Sequence, residues 1–171
     1  MICPSCCHKN LPGDEVCKHC KQPLTSFDLP HPGNPVERSV MYDQVKSLKQ
    51  NPPVTIGQTA TIGDAMALML STNVGAILVV DKSGHMVGIF SERDLLKKIV
   101  GAEPDYENLP ITRFMTPRPE SVSTTDTLNF VLQKMDAGGY RHVPVLENGK
   151  PVSIISARDM LRFLTRLCKD G

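Results

Sequence analysis

Tryptophan is absent from this chain of 171 residues, and tyrosine and phenylalanine contribute only three and five. A core must therefore be assembled from Val, Ile, Leu, Met and Ala, and an apolar content of 40% is enough for a soluble one. Neither sign of charge is in excess: the formal net charge is +1. Bulk electrostatics thus offers no route to a nucleic acid or a membrane surface. No apolar run approaches the roughly 18 residues of a membrane span, and no basic-then-apolar leader opens the sequence. We expect a cytoplasmic protein without membrane association, in which disulfides are disfavoured. Walker loops, Ser-His-Asp arrangements and paired acids placed for hydrolysis are also missing, so no enzyme activity is expected.

Cysteine, by contrast, is concentrated. Four of the six lie in Cys3-Pro4-Ser5-Cys6 and Cys17-Lys18-His19-Cys20, two Cys-x-x-Cys pairs separated by ten residues. Each pair can wrap one side of a tetrahedral ion, and a turn at Pro12-Gly13-Asp14 would bring the pairs together. Residues 1–24 resemble a short zinc ribbon, with Cys3, Cys6, Cys17 and Cys20 as ligands. The same thiolates would hold iron as in rubredoxin-like sites, and spacing leaves that open. Cys7 is a spare thiol, His8 and His19 are surface residues, and Cys168 belongs to a helix. A closed set of four ligands leaves no position for a reactive water, so the metal would be structural. So short a segment has no core of its own, and the ion would supply most of its folding energy. Lys9, Lys18 and Lys21 are too few to argue for nucleic acid.

Residues 25–40 form a proline-rich linker, because Pro30, Pro32, Gly33 and Pro35 disfavour both helix and central strand. Val36, Val40, Met41, Val45 and Leu48 are spaced for a helix leading into the next domain.

The remainder is an internal repeat. At an offset of 66, Val45, Leu48, Pro53, Ile56, Met69, Ile77 and Val79 fall opposite Ile111, Phe114, Pro119, Val122, Met135, Val143 and Val145; the offset then drops to 65 at a shorter turn. The first unit, 41–102, is expected to run as strand Val54–Ile56, a helix carrying Ile62, Ala65, Met66, Met69 and Leu70, strand Ala76–Val80, strand Met86–Phe90, and a helix from Ser91 through Leu95, Leu96, Ile99 and Val100. Residues 103–110 connect it to the second unit, 111–171. There the strands are Ser121–Ser123, His142–Leu146 and Pro151–Ser156, and the helices Leu128–Met135 and Ala157–Leu167. The fold class is α+β, with β-α-β-β-α twice.

Each unit contains one further pattern, Gly88-Ile89-Phe90-Ser91-Glu92-Arg93-Asp94 and Ser153-Ile154-Ile155-Ser156-Ala157-Arg158-Asp159. On its own residues this is a strand running into a capped helix, with Ser at the N-cap and Asp in the first turn. The motif resembles the nucleotide motif of CBS domains, as do Phe114-Met115-Thr116-Pro117 and Gly139-Tyr140-Arg141-His142-Val143-Pro144-Val145. The second copy departs from it in having Ser153 where the family usually has Gly.

The resemblance covers roughly residues 41–167. It implies a tandem pair (a Bateman module) packed sheet to sheet, with two clefts for adenosine-type ligands. Ser91 and Asp94 would serve one cleft, Ser156 and Asp159 the other, with the aspartates on ribose and the serines near phosphate. Arg93, Arg141, His142 and Arg158 would be phosphate cations. Lys49-Gln50-Asn51 and Met115-Thr116-Pro117 would approach the base. Read without the resemblance, Arg93 and Arg158 are equally solvated helix-face residues and His142 a partly buried strand histidine. The first unit has Gly75-Ala76 where the second has Arg141-His142, so the clefts are expected to be unequal.

The resemblance implies a regulator that binds AMP, ADP, ATP or a related adenosyl compound, dimerises through its repeats, and offers the ribbon to a protein partner. The competing readings are a nucleic-acid-associated regulator, an iron redox protein, and a scaffold with empty clefts.

Overall fold

The computed structural model describes residues 3, 6–11, 14–24, 32–99, 101 and 105–170. The expected turn at Pro12-Gly13, linker residues 25–31, Val100 and residues 102–104 lie outside that set. The chain divides into two compact units, Met1–Gly33 and Asn34–Gly171.

In the first unit, two loops are built alike. The N–H of Cys7 donates to the Cys3 carbonyl at 2.8 Å, and the N–H of Lys21 donates to the Cys17 carbonyl at 2.9 Å. Both loops end in the left-handed region, Cys7 at φ 57° and Lys21 at φ 60°. An antiparallel bridge joins Val16 to Pro23. The buried centre is small: Cys3, Cys17 and Leu24, with Cys6 against them.

The second unit opens with α1, Pro35–Tyr42. Asn34 caps it by accepting from the Glu37 N–H, and proline fits its first turn. The expected linker therefore ends in helix from residue 35. The helix expected to continue towards Leu48 stops at Asp43, and Val45–Ser47 is a separate 3-10 turn.

β1 (Thr55–Gly57) is followed by α2 (Ile62–Thr72), β2 (Ala76–Val80) and β3 (Met86–Ser91). β1 runs parallel to β2, and β2 pairs antiparallel with β3. Thr61 and Asp64 form a reciprocal capping box on α2, which ends at Asn73 in the left-handed region. Ile62, Ala65 and Met69 face the core, and Leu70 is 80% exposed. The helix after Ser91 is also irregular: α3 spans only Glu92–Asp94 and passes into a π-helical stretch, Leu95–Ile99. Within that stretch Leu96 is 68% exposed and Ile99 is buried. Gly101, at φ +83°, follows it.

A short strand, β4 (Thr116–Pro117), adds to the free edge of β3. The second repeat continues with α4 (Leu128–Gly138), β5 (His142–Glu147), β6 (Lys150–Ser156) and α5 (Ala157–Asp170). The strand expected at Ser121–Ser123 is reduced to one parallel bridge, Val122 to Val145. α4 is capped by Thr127 and ends on Gly139 at φ 61°.

The leading segments of the two repeats are exchanged. Val45 and Leu48 are buried with Val122, Leu128, Val131 and Val143 of the second repeat. Ile111 and Phe114 are buried with Ile62, Ile77 and Phe90 of the first. Backbone bonds secure the exchange, Val45 N–H to the Asp126 carbonyl at 2.8 Å and Ile111 N–H to the Ala60 carbonyl at 3.0 Å. A third cluster joins Ala76, Leu78 and Ile89 to Ile154, so apolar sheet residues of one repeat cover those of the other.

Candidate functional site

The two strand-to-helix junctions present their Ser and Asp in the same way. In the second repeat, Asp159 Oδ2 accepts from the Ser156 N–H at 2.9 Å and the Ser156 hydroxyl at 2.5 Å, and the Asp159 N–H donates back to Ser156 Oγ at 3.2 Å. In the first, Asp94 Oδ2 accepts from the Ser91 N–H at 3.0 Å and the Ser91 hydroxyl at 2.6 Å. The capped-helix reading is thus realised at both places. It holds each carboxylate by one oxygen and leaves the other, Oδ1, to its surroundings.

Those surroundings differ. A cleft of about 670 Å³ lies beside Asp159, within the range of small-molecule sites. Ser156, Arg158, Asp159, Arg141 and His142 all line it, and Asn51 and Pro52 close one side. The resemblance assigned Ser156 and Asp159 to one cleft and named Arg141, His142 and Arg158 as phosphate cations, and the fold brings the five together. Two charged lining residues were missed. Arg162 stands one helical turn beyond Arg158, and Glu92 enters from the first repeat, where its side chain lies against Gly75. The i, i+4 spacing of Arg158 and Arg162 was a readable signal for the former; nothing local announced the latter. His142 is held below the usual histidine range. Burial disfavours its charged form, Glu92 and Asp159 act in the opposite direction, and Arg141 and Arg158 reinforce the burial.

Ser91, Arg93, Asp94, Thr116 and Pro117 do not line this cleft. Asp94 Oδ1 pairs with Lys98 Nζ at 2.7 Å. Thr116 Oγ1 donates to the same oxygen at 3.5 Å, and Lys98 also donates to the Phe114 carbonyl at 2.8 Å. Arg93 Nη1 donates to the Gly139 carbonyl at 3.0 Å, tying α3 to the end of α4. The departure at Ser153 has a local explanation. Gly88 faces Met115, whose Sδ would lie 2.4 Å from a Cβ at that position. At the equivalent place Ser153 is buried and donates to the Asn51 carbonyl at 3.1 Å.

In the N-terminal unit, the sulfurs of Cys3, Cys6, Cys17 and Cys20 all lie within 4.8 Å of one another. Cys3 to Cys20 and Cys6 to Cys17 are both 3.6 Å. A tetrahedral ion with Zn–S bonds of about 2.3 Å places its sulfurs roughly 3.8 Å apart, so the four thiols fit such an ion. Cys7 is exposed and outside the cluster, Cys168 is exposed on α5, and His8 stacks on His19 at 5.5 Å. The Cys17 thiol is drawn down to about 6: burial works against ionisation, but the N–H groups of Cys20 and His19 and the Asn10 carboxamide favour the thiolate. Cys6 is pushed up to about 12, since its bond from the His8 backbone is outweighed by burial and by the thiols of Cys20, Cys17 and Cys3. Buried Asn10, missed from sequence, ties the loops together. It donates to Cys17 Sγ at 3.5 Å and to the His8 carbonyl at 3.0 Å, and accepts from the Lys18 N–H at 3.0 Å.

Paired repeats with a cleft beside a Ser-capped aspartate define a tandem-repeat module. A model of the CBS domain matches residues 45–101 and 111–166, and the chain belongs to the CBS-domain family. The CBS domain-containing protein CBSCBSPB1 of Arabidopsis thaliana is 32% identical over 111 residues, 65% of this chain and 20% of its own length. The chain thus spans about a fifth of the plant relatives it matches. A CBS-domain containing protein of Agrobacterium tumefaciens superposes with a TM-score of 0.65 at 34% identity, over 70% of this chain and 91% of its own. A CBS domain protein of Pyrobaculum aerophilum, solved in complex with AMP, superposes with a TM-score of 0.65 at 26% identity, over 74% of this chain and 98% of its own. Among the described residues no helix is long and apolar enough to cross a membrane.

Proposed function

We propose that this chain is a non-enzymatic regulatory module that binds an adenine nucleotide between its two CBS repeats, and that residues 1–24 form a structural zinc ribbon for contact with a protein partner. The observation that carries the reading is the convergence of Asp159, Arg141, His142 and Arg158 on one cleft. A ribose diol needs a carboxylate acceptor, and Asp159 keeps one oxygen without a donor among the described residues. Arg141 and Arg158 have no acidic ion-pair partner among the described residues, and a guanidinium fork suits phosphate oxygens. The AMP complex of the Pyrobaculum aerophilum relative supports the ligand class. Binding becomes regulation when the ligand favours one arrangement of the paired repeats over another. Leu161, 64% exposed on α5, supports pairing of two chains through these helices.

Calorimetric titration with AMP, ADP, ATP and S-adenosylmethionine tests the nucleotide. We expect saturable binding to the intact chain and its loss in Asp159→Ala, with folding of the variant checked by thermal melting. Silence with all four compounds would remove the reading. Metal analysis tests the ribbon: zinc at one per chain is expected, and a coloured, iron-containing protein would redirect the first unit to redox chemistry.

A further inference from the structure

The two clefts differ most in what already occupies their aspartates. An ionised carboxylate offers about four acceptor positions. At Asp94 all are used by the chain itself. Oδ2 takes the Ser91 N–H and hydroxyl, while Oδ1 takes Lys98 Nζ at 2.7 Å and the Thr116 hydroxyl at 3.5 Å. Lys98 is fixed further by its 2.8 Å bond to the Phe114 carbonyl. At Asp159 the two donors of Ser156 fall on Oδ2, and Oδ1 has no donor among the described residues. The larger part of the difference is the charged donor. At the repeat offset of 65, Lys98 is answered by Phe163, which turns into the hydrophobic cluster of the second repeat and has no charge to offer.

Other differences run the same way. Arg93 is taken by the Gly139 carbonyl, whereas Arg158 lines the open cleft. The first repeat has Gly75-Ala76 in place of Arg141-His142. A diol arriving at Asp94 would have to displace an ammonium from a carboxylate only 12% exposed. The ammonium sets a full opposite charge 2.7 Å from that carboxylate and a hydroxyl brings none, so hydroxyls do not win that exchange.

We infer that the first cleft is closed by its own lysine, so that each chain binds one nucleotide, at Asp159, and Lys98 sets that stoichiometry. The inference rests on the nucleotide reading above. It is tested on the full chain by calorimetric titration with whichever of AMP, ADP, ATP or S-adenosylmethionine binds most tightly, and by the same titration of Lys98→Met. Methionine keeps the length and apolar stem of lysine but removes the ammonium from Asp94 Oδ1, leaving the longer Thr116 contact, and thermal melting verifies the fold. The expected result is one ligand per chain for the parent and two for Lys98→Met, the added site being the weaker. Two ligands per chain in the parent, or one still in folded Lys98→Met, would overturn the role of Lys98 while leaving the nucleotide reading intact. No binding of any of the four compounds to the parent would overturn both.

Discussion

Alanine in place of Gly88 probes the packing that makes the two strand-to-helix motifs differ. Gly88 sits in β3 between Val79 of β2 and Pro117 of β4. A Cβ there would lie 2.4 Å from Met115 Sδ, 3.0 Å from its Cγ and 3.1 Å from its Cε. Met115 must therefore leave its rotamer, and it is partly buried against the core of the first repeat. Overpacking of this kind costs about 1–3 kcal/mol. Removing a strand glycine returns about 0.5–1 kcal/mol of chain entropy. The net expectation is a loss of roughly 1–2 kcal/mol, read as a lowered urea midpoint at unchanged slope. Met115→Ala removes the obstacle and loses packing of its own. If the clash is the cause, the double variant is less destabilised than the sum of the singles by about 1 kcal/mol or more. A Gly88→Ala protein as stable as the parent, or two effects that simply add, would refute the argument.

Asn10→Ala is expected to lower metal affinity about 10–100-fold without removing a ligand, because Asn10 orients Cys17 and the loop around it; competition with a chromogenic chelator measures this, and unchanged affinity would deny Asn10 that role. His142 carries a pH prediction. Its folded value lies below the ordinary 6.5, with burial as the leading cause, so the folded state holds fewer protons than the unfolded chain. The stabilising contribution is present above 6.5 and is lost as pH falls from there through the folded value. Proton NMR of the His142 ring should show this low titration in the free protein and an upward shift when a phosphate-bearing nucleotide binds. An unmoved titration would take His142 out of the phosphate site.

Much of this was legible because it is local. Cys-x-x-Cys pairs and a Ser followed three residues later by Asp are properties of neighbours along the chain, a 66-residue self-similarity is read by comparing the chain with itself, and the helix caps at Ser91, Ser156, Thr61 and Thr127 obey short-range hydrogen bonding. Even the Asp94–Lys98 pair has a local signature, an acid four residues before a lysine; it escapes a reading that follows the likeness of the repeats rather than their differences. The π-helical stretch after Asp94 and the reduction of Ser121–Ser123 to one bridge were not legible, since the apolar pattern of each fits its regular counterpart equally well.

The sequence by itself determined which residues form the two repeats, which thiols can gather, and which side chains cap the two functional helices. Only tertiary structure decided that Val45 and Leu48 belong to the second core and Ile111 and Phe114 to the first, because burial depends on which surface needs covering and not on which segment is adjacent. It also decided that Glu92 shares a cleft with Arg141 and Asp159 of the other repeat, and that Arg93 is spent on Gly139 while Arg158 is not. Two motifs with the same Ser and Asp thus acquire different surroundings: one carboxylate is satisfied by its own chain, and the other keeps an oxygen with no donor among the described residues.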